Sequence, residues 1–149
     1  MSRSFTALVL AAGLAASLPA AAQFQKPEDA VKYRQSAFSV MGTHFGRIGA
    51  MVQNRVPFDA PTLAANAEVV AALSALPFAA FGDGTNLANS KALPVVWSQR
   101  AKFDAGATKM QQAVAELNAA AKSGDMAKIR PAFGAVGATC KGCHDDFRD

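Results

Sequence analysis

The chain has 149 residues, 51% of them hydrophobic, with 15 Lys and Arg against 11 Asp and Glu for a net charge of +4. That suits one packed domain rather than two or a disordered chain, and 11 Gly with 7 Pro excludes a collagen-like or low-complexity composition. Two cysteines cannot build a disulfide framework, and a mild charge with no run of Lys or Arg argues against nucleic acid as a partner.

Residues 1–22 read as a secretory signal. Arg3 supplies the positive start, Phe5 to Leu18 is almost wholly apolar, and Ala20-Ala21-Ala22 places small residues before a cut at Gln23. The apolar stretch is too short to cross a bilayer comfortably, and no later segment is expected to cross one, so no membrane association is expected after cleavage. Residues 23–149 then form the mature domain. In a Gram-negative bacterium the destination is the periplasm, an oxidising compartment where two lone cysteines are expected to be bonded to something.

Pro27-Glu28-Asp29 opens the first helix, with proline in the first turn and acids at its positive end. Val31, Phe38, Met41, Phe45, Ile48 and Val52 repeat at spacings of seven, three, four, three and four, one apolar stripe running to about Asn54. Gly42, Gly46 and Gly49 thin one side of this helix, which would admit another helix closely. Asp59 caps the second helix ahead of Pro61; its stripe is Leu63, Ala67, Val70 and Leu73, and Pro77 ends it. From Pro77 to Pro94 a long loop is expected, of a length that is often functional. The third helix is expected to run unbroken after Pro94, with Val96, Phe103, Ala107, Met110, Val114, Leu117 and Ala121 inward and Gly124 as its stop. Asp125 caps the fourth, whose stripe is Ile129, Phe133, Val136, Cys140, Cys143 and Phe147, with Pro131 expected to remove one backbone bond near its start. No segment alternates with period two. The expected fold is an all-α, antiparallel four-helix bundle.

The chemistry lies in Cys140-Lys141-Gly142-Cys143-His144. C-x-x-C-H is the attachment signal for c-type haem. Cysteines three apart share a helix side, so each thiol can add to one vinyl group, and the adjacent histidine can reach the iron as proximal ligand. A thioredoxin-like disulfide would need a strand before the motif and a βαβ context, which this chain lacks. Zinc would need a fourth ligand, and no second C-x-x-C is present.

An attachment motif five residues from the C-terminus, on the last of four helices, resembles cytochrome c′, the class II c-type cytochromes. The likeness covers residues 23–149. It includes Lys26-Pro27-Glu28-Asp29, Tyr33-Arg34-Gln35, Leu76-Pro77-Phe78-Ala79-Ala80-Phe81-Gly82, Trp97, and Phe133-Gly134-x-Val136-Gly137-x-x-Cys140-x-x-Cys143-His144. The resemblance implies a homodimer of bundles, each chain with one covalent haem c, high-spin and five-coordinate, binding nitric oxide and, variably, carbon monoxide. Carried over by position, Cys140 and Cys143 form the thioethers, His144 is the axial ligand, Arg34 and Gln35 contact the haem propionates, and the arginine matching Arg148 lies beside the proximal imidazole. Arg148 follows His144 by four residues, so the two are expected to share a helix face. Leu93 departs from the pattern, because a basic propionate partner can stand before Pro94. Lys91, two residues earlier, is not given that role.

Phe38 decides the sixth coordination position in this reading. Low-spin relatives carry methionine there, whereas phenylalanine has no lone pair for iron. If Phe38 faces the haem, the site is shielded by hydrocarbon, and Phe78 and Phe81 are candidates for the same wall. The expected function is gas binding with a share in electron transfer, to a redox partner the sequence does not identify. The alternative is a pure electron carrier with a low-spin haem ligated by Met41 or His44. Peroxidase chemistry would need a polar acid–base group near Phe38, and none is apparent, so an enzyme is not expected.

Overall fold

In the computed structural model, residues 23–149 are described; the expected signal segment lies outside them. Helix α1 spans Pro27–Val52, and its start carries the expected first-turn proline with Glu28 and Asp29. Helix α2 spans Ala60–Leu73, and Asp59 caps it by accepting from the Thr62 amide at 2.8 Å. Helix α3 is one turn, Val95–Ser98, followed by α4, Arg100–Ser123. Helix α5 spans Met126–Phe147, capped by Asp125, which accepts from the Ala127 amide at 2.9 Å. Gly124, at φ +67°, supplies the left-handed residue that ends α4.

The long helices α1, α2, α4 and α5 make the bundle. Helix α1 packs on α2, α2 on α4, and α4 on α5, while α1 and α5 meet less extensively. All seven stripe residues expected on the third helix are buried. On α1 and α5 the stripes are interrupted: Phe38, Phe45, Phe133, Cys140 and Cys143 are only half-buried. Phe45 and Phe133 stack on each other across the α1–α5 contact, centroids 4.4 Å apart. The other three border a cavity.

Three expectations need correction. The third helix is not continuous: Gln99, at φ −118° and ψ +46°, separates α3 from α4. At that break Trp97 Nε1 donates to Gly82 O (3.1 Å) and Arg100 Nη1 donates to Phe81 O (2.9 Å), so the chain on either side of Gln99 is anchored to the preceding loop. The loop itself begins with a 3-10 turn at Leu76–Ala80, where Pro77 starts a new short element rather than only ending α2. Finally, residues 60–80 are long and apolar enough to cross a membrane by composition. Part of that hydrophobicity is used inside the bundle, where Leu63, Ala67, Val70, Pro77 and Ala80 are buried. Pro131 sits inside an unbroken α5.

Of the three glycines of α1, only Gly49 meets a neighbour. A Cβ there would lie 2.9 Å from Phe133 Cζ, so its lack of a side chain is what admits the ring. Gly42 and Gly46 face open space.

Candidate functional site

A cavity of about 720 Å³ lies between α1, α4, α5 and the loop before α3. This is within the range of roughly 300–1,000 Å³ typical of small-molecule and cofactor sites. All seven residues singled out by sequence line it: Arg34, Gln35 and Phe38 from α1, and Cys140, Cys143, His144 and Arg148 from the end of the chain. The helical period explains the α5 contribution. Residues 140, 143 and 144 fall on one side because three and four residues make about one turn.

The walls are hydrocarbon. Phe38 meets Phe78 edge-on at 5.7 Å and Phe81 at 6.5 Å, and Phe81 lies 4.8 Å from Phe103. Val70, Met110, Val114 and Val136 continue the apolar lining inward. The mouth is polar, formed by Gln35, Asn89, Ser90, Lys91 and Arg148.

Neither cysteine is in a disulfide. Burial pushes both thiols up in pKa; at Cys143 the charges of Cys140 and Asp146 act in the same direction. A redox dithiol is recognised by the opposite shift, toward thiolate. Desolvation by its surroundings, then the charge of Arg148, hold the His144 imidazole below its ordinary pKa, with Asp145 opposing. A neutral ring near pH 7 keeps a nitrogen lone pair free for a metal. Among the described residues, no three His, Cys, Asp or Glu side chains converge as a metal cluster. Two neutral thiols and one neutral imidazole facing an apolar cavity fit a covalently held porphyrin.

Arg34, Gln35 and Arg148 line the cavity and also bond within the protein. Arg34 lines the cavity but is 2% exposed, and both terminal nitrogens donate to the loop over Ala80–Ser90. Burial lowers its pKa. Gln35 sits at the mouth, with Nε2 donating to Asn89 O at 3.1 Å. Arg148 is not on a shared helix face with His144. It is the extended C-cap of α5, its amide bonded to His144 O (3.1 Å), and it pairs with Ala92 in an isolated antiparallel bridge. That pairing, with Leu93 N donating to Phe147 O and Asp149 N to Lys91 O, brings the loop to the chain end. Lys91 therefore lines the cavity, whereas Leu93 does not border it.

The two rival ligands separate. His44 is outside the cavity, its Nδ1 bonded to Asn66 Oδ1 at 2.8 Å. Since the Asn66 amide donates to Thr62 O, His44 Nδ1 is the donor in that pair. Met41 is buried in the bundle core and also borders the cavity. Asn89 and Ser90 were not singled out by sequence; the only signal for them was the length and polarity of the loop that carries them.

A profile of the family described as Cytochrome C′ matches residues 29–148. The cytochrome c′ of Rubrivivax gelatinosus is 52% identical over 128 residues, covering 85% of this chain and 99% of that protein. Its crystal structure superposes with a TM-score of 0.83, covering 85% of this chain and all of that one. The nitric oxide complex of a mutant of cytochrome c prime from Alcaligenes xylosoxidans superposes with a TM-score of 0.81 at 50% identity, covering 85% and 98%. A carbon monoxide-bound variant of that same protein gives 0.80 at 50% identity, covering 85% and 99%.

Proposed function

The chain belongs to the cytochrome c′ family and carries that family's prosthetic group, haem c; from that premise we propose that it is a gas-binding haem protein of the periplasm. Cys140 and Cys143 would hold the porphyrin through thioethers, and His144 would be its single protein ligand. When bound, haem supplies an iron that takes a diatomic ligand at its open face and exchanges one electron. The chain's own residues decide what reaches that face. Phe38, Phe78 and Phe81 would keep it dry and offer no donor atom, a setting for a high-spin, five-coordinate iron that favours small uncharged nitric oxide and carbon monoxide. Gln35, Arg148 and Lys91 stand at the polar mouth, where they would meet the propionates. The apolar wall contributes no carboxylate and no second histidine to move a proton, so the protein is not assigned a catalytic cycle.

The observation that carries this reading is that Cys140, Cys143 and His144 line one cavity together with Phe38, Phe78 and Phe81. Nitric oxide and carbon monoxide bound to the Alcaligenes relative support the choice of ligands. Family membership supports removal of residues 1–22, export, and a homodimer. The exposed Val40 and open Gly46 on α1 are compatible with a second copy lying close.

Met41 at the cavity border favours one second reading, a low-spin electron carrier with sulfur on iron. Spectra of the purified holoprotein separate the two. Gas binding predicts a high-spin ferrous spectrum that converts on adding carbon monoxide. A methionine-ligated low-spin spectrum, unmoved by carbon monoxide, gives the protein to electron transfer alone.

A further inference from the structure

Arg34 is a charged side chain at 2% exposure, and among the described residues no carboxylate pairs with it. A buried charge needs its donors satisfied. Nη1 donates to Ala80 O (2.9 Å) and Thr85 Oγ1 (3.0 Å), and Nη2 donates to Thr85 O (2.9 Å) and Ser90 Oγ (2.8 Å). The guanidinium carbon lies 4.2 Å from the Phe81 ring centroid and 5.7 Å from that of Trp97. Of its five N–H groups only Nε–H is left for a propionate. The next two carbonyls are held in the same way, Phe81 O by Arg100 and Gly82 O by Trp97. Three successive carbonyls are thus each taken by a side chain from a different helix.

We propose that Arg34 is a positioning residue for the aromatic wall: it locks the Ala80–Ser90 loop to α1 and thereby sets how readily Phe78, Phe81 and Phe38 give way to a gas ligand. The inference rests on the gas-binding reading above. Its geometry is direct. Phe38 is one helical turn beyond Arg34 on α1, so a loop fixed to Arg34 is fixed relative to Phe38. Phe81 is the ring under the guanidinium and also part of the wall, so it cannot swing without leaving the cation. The fork matters because a planar guanidinium bonds several acceptors at fixed angles, which a lysine ammonium does not reproduce.

The test compares ferrous holoproteins: wild type, Arg34→Lys, and a Thr85→Val/Ser90→Ala pair that removes two acceptors while leaving Arg34 in place. Carbon monoxide association is followed by stopped flow, and amide exchange is followed at Phe81 and Thr85. Both variants are expected to bind about three- to tenfold faster, less than the full tenfold or more of a lost hydrogen bond to a charged group because the loop keeps its other bonds. Both are also expected to exchange those amides faster. Because lysine keeps the charge, a change in Arg34→Lys alone, with the loop pair at the wild-type rate, would mean that Arg34 acts elsewhere and overturns the proposal. Unchanged rates in both variants, with normal wild-type binding, remove the clamp and leave gas binding standing. A wild-type protein with no carbon monoxide spectrum removes the gas-binding reading and the clamp's effect with it.

Discussion

Phe38 is held by two aromatic neighbours, not by the helix alone. Its ring meets Phe78 edge-on and Phe81 at an angle, so a ligand entering beneath it must displace a packed side chain. Such repacking costs roughly 1–3 kcal/mol, or about five- to 150-fold in rate at the barrier. Phe38→Ala in the holoprotein is therefore expected to speed carbon monoxide association by at least about fivefold and to tighten binding. An unchanged stopped-flow rate would mean that the ring does not guard the iron. Phe38 was legible as a candidate because a stripe position and a ligand-type argument coincide on one residue. Arg34 was legible only in part. Its placement on the cavity side of α1 follows from the sequence, but its acceptors lie 46 to 56 residues further along the chain, where no local pattern points to them.

Among the elements, glycine shows how the same substitution changes sign with its surroundings. In an α-helix interior Gly→Ala gains about 1 kcal/mol of propensity. Gly134 on α5 is exposed and faces open space, so Gly134→Ala is expected to raise stability by about 0.5–1 kcal/mol. Gly49 lies against Phe133, which is stacked on Phe45 and would lose that stacking in retreating. There the added methyl is expected to lower stability by about 1–3 kcal/mol, overpacking exceeding propensity. Denaturant unfolding of both variants checks the pair, and a shift of the same sign in both would refute the packing argument. Helix existence was readable from the stripes and caps. The split at Gln99 was not, because Val96 and Phe103 keep their seven-residue spacing across it, and both are buried despite the break.

For the molecule as a whole, the cavity sets a condition on folding. The cavity of about 720 Å³ opens at a polar mouth and is lined inside by Phe78, Phe103, Val114 and Val136. Water in it would wet these side chains, whereas a largely apolar group would bury them. The prosthetic group is therefore expected to act as part of the core. A Cys140→Ala/Cys143→Ala chain freed of haem is expected to keep helical circular dichroism while losing the near-ultraviolet signal and the cooperative calorimetric transition. A sharp transition at the holoprotein's temperature would show that the helices close the cavity by themselves.

Local information along the chain was enough for four helices, their caps, the C-x-x-C-H motif and the place of Phe38 on an apolar stripe, because period, capping and motif spacing are properties of neighbouring residues. Tertiary structure alone decided that Lys91 rather than Leu93 reaches the mouth, that Arg148 ends the helix instead of riding on it, and that Arg34 turns to the loop. Each of those outcomes depends on which distant backbone carbonyl or amide a group finds unpaired once the bundle has closed, and burial makes that choice obligatory.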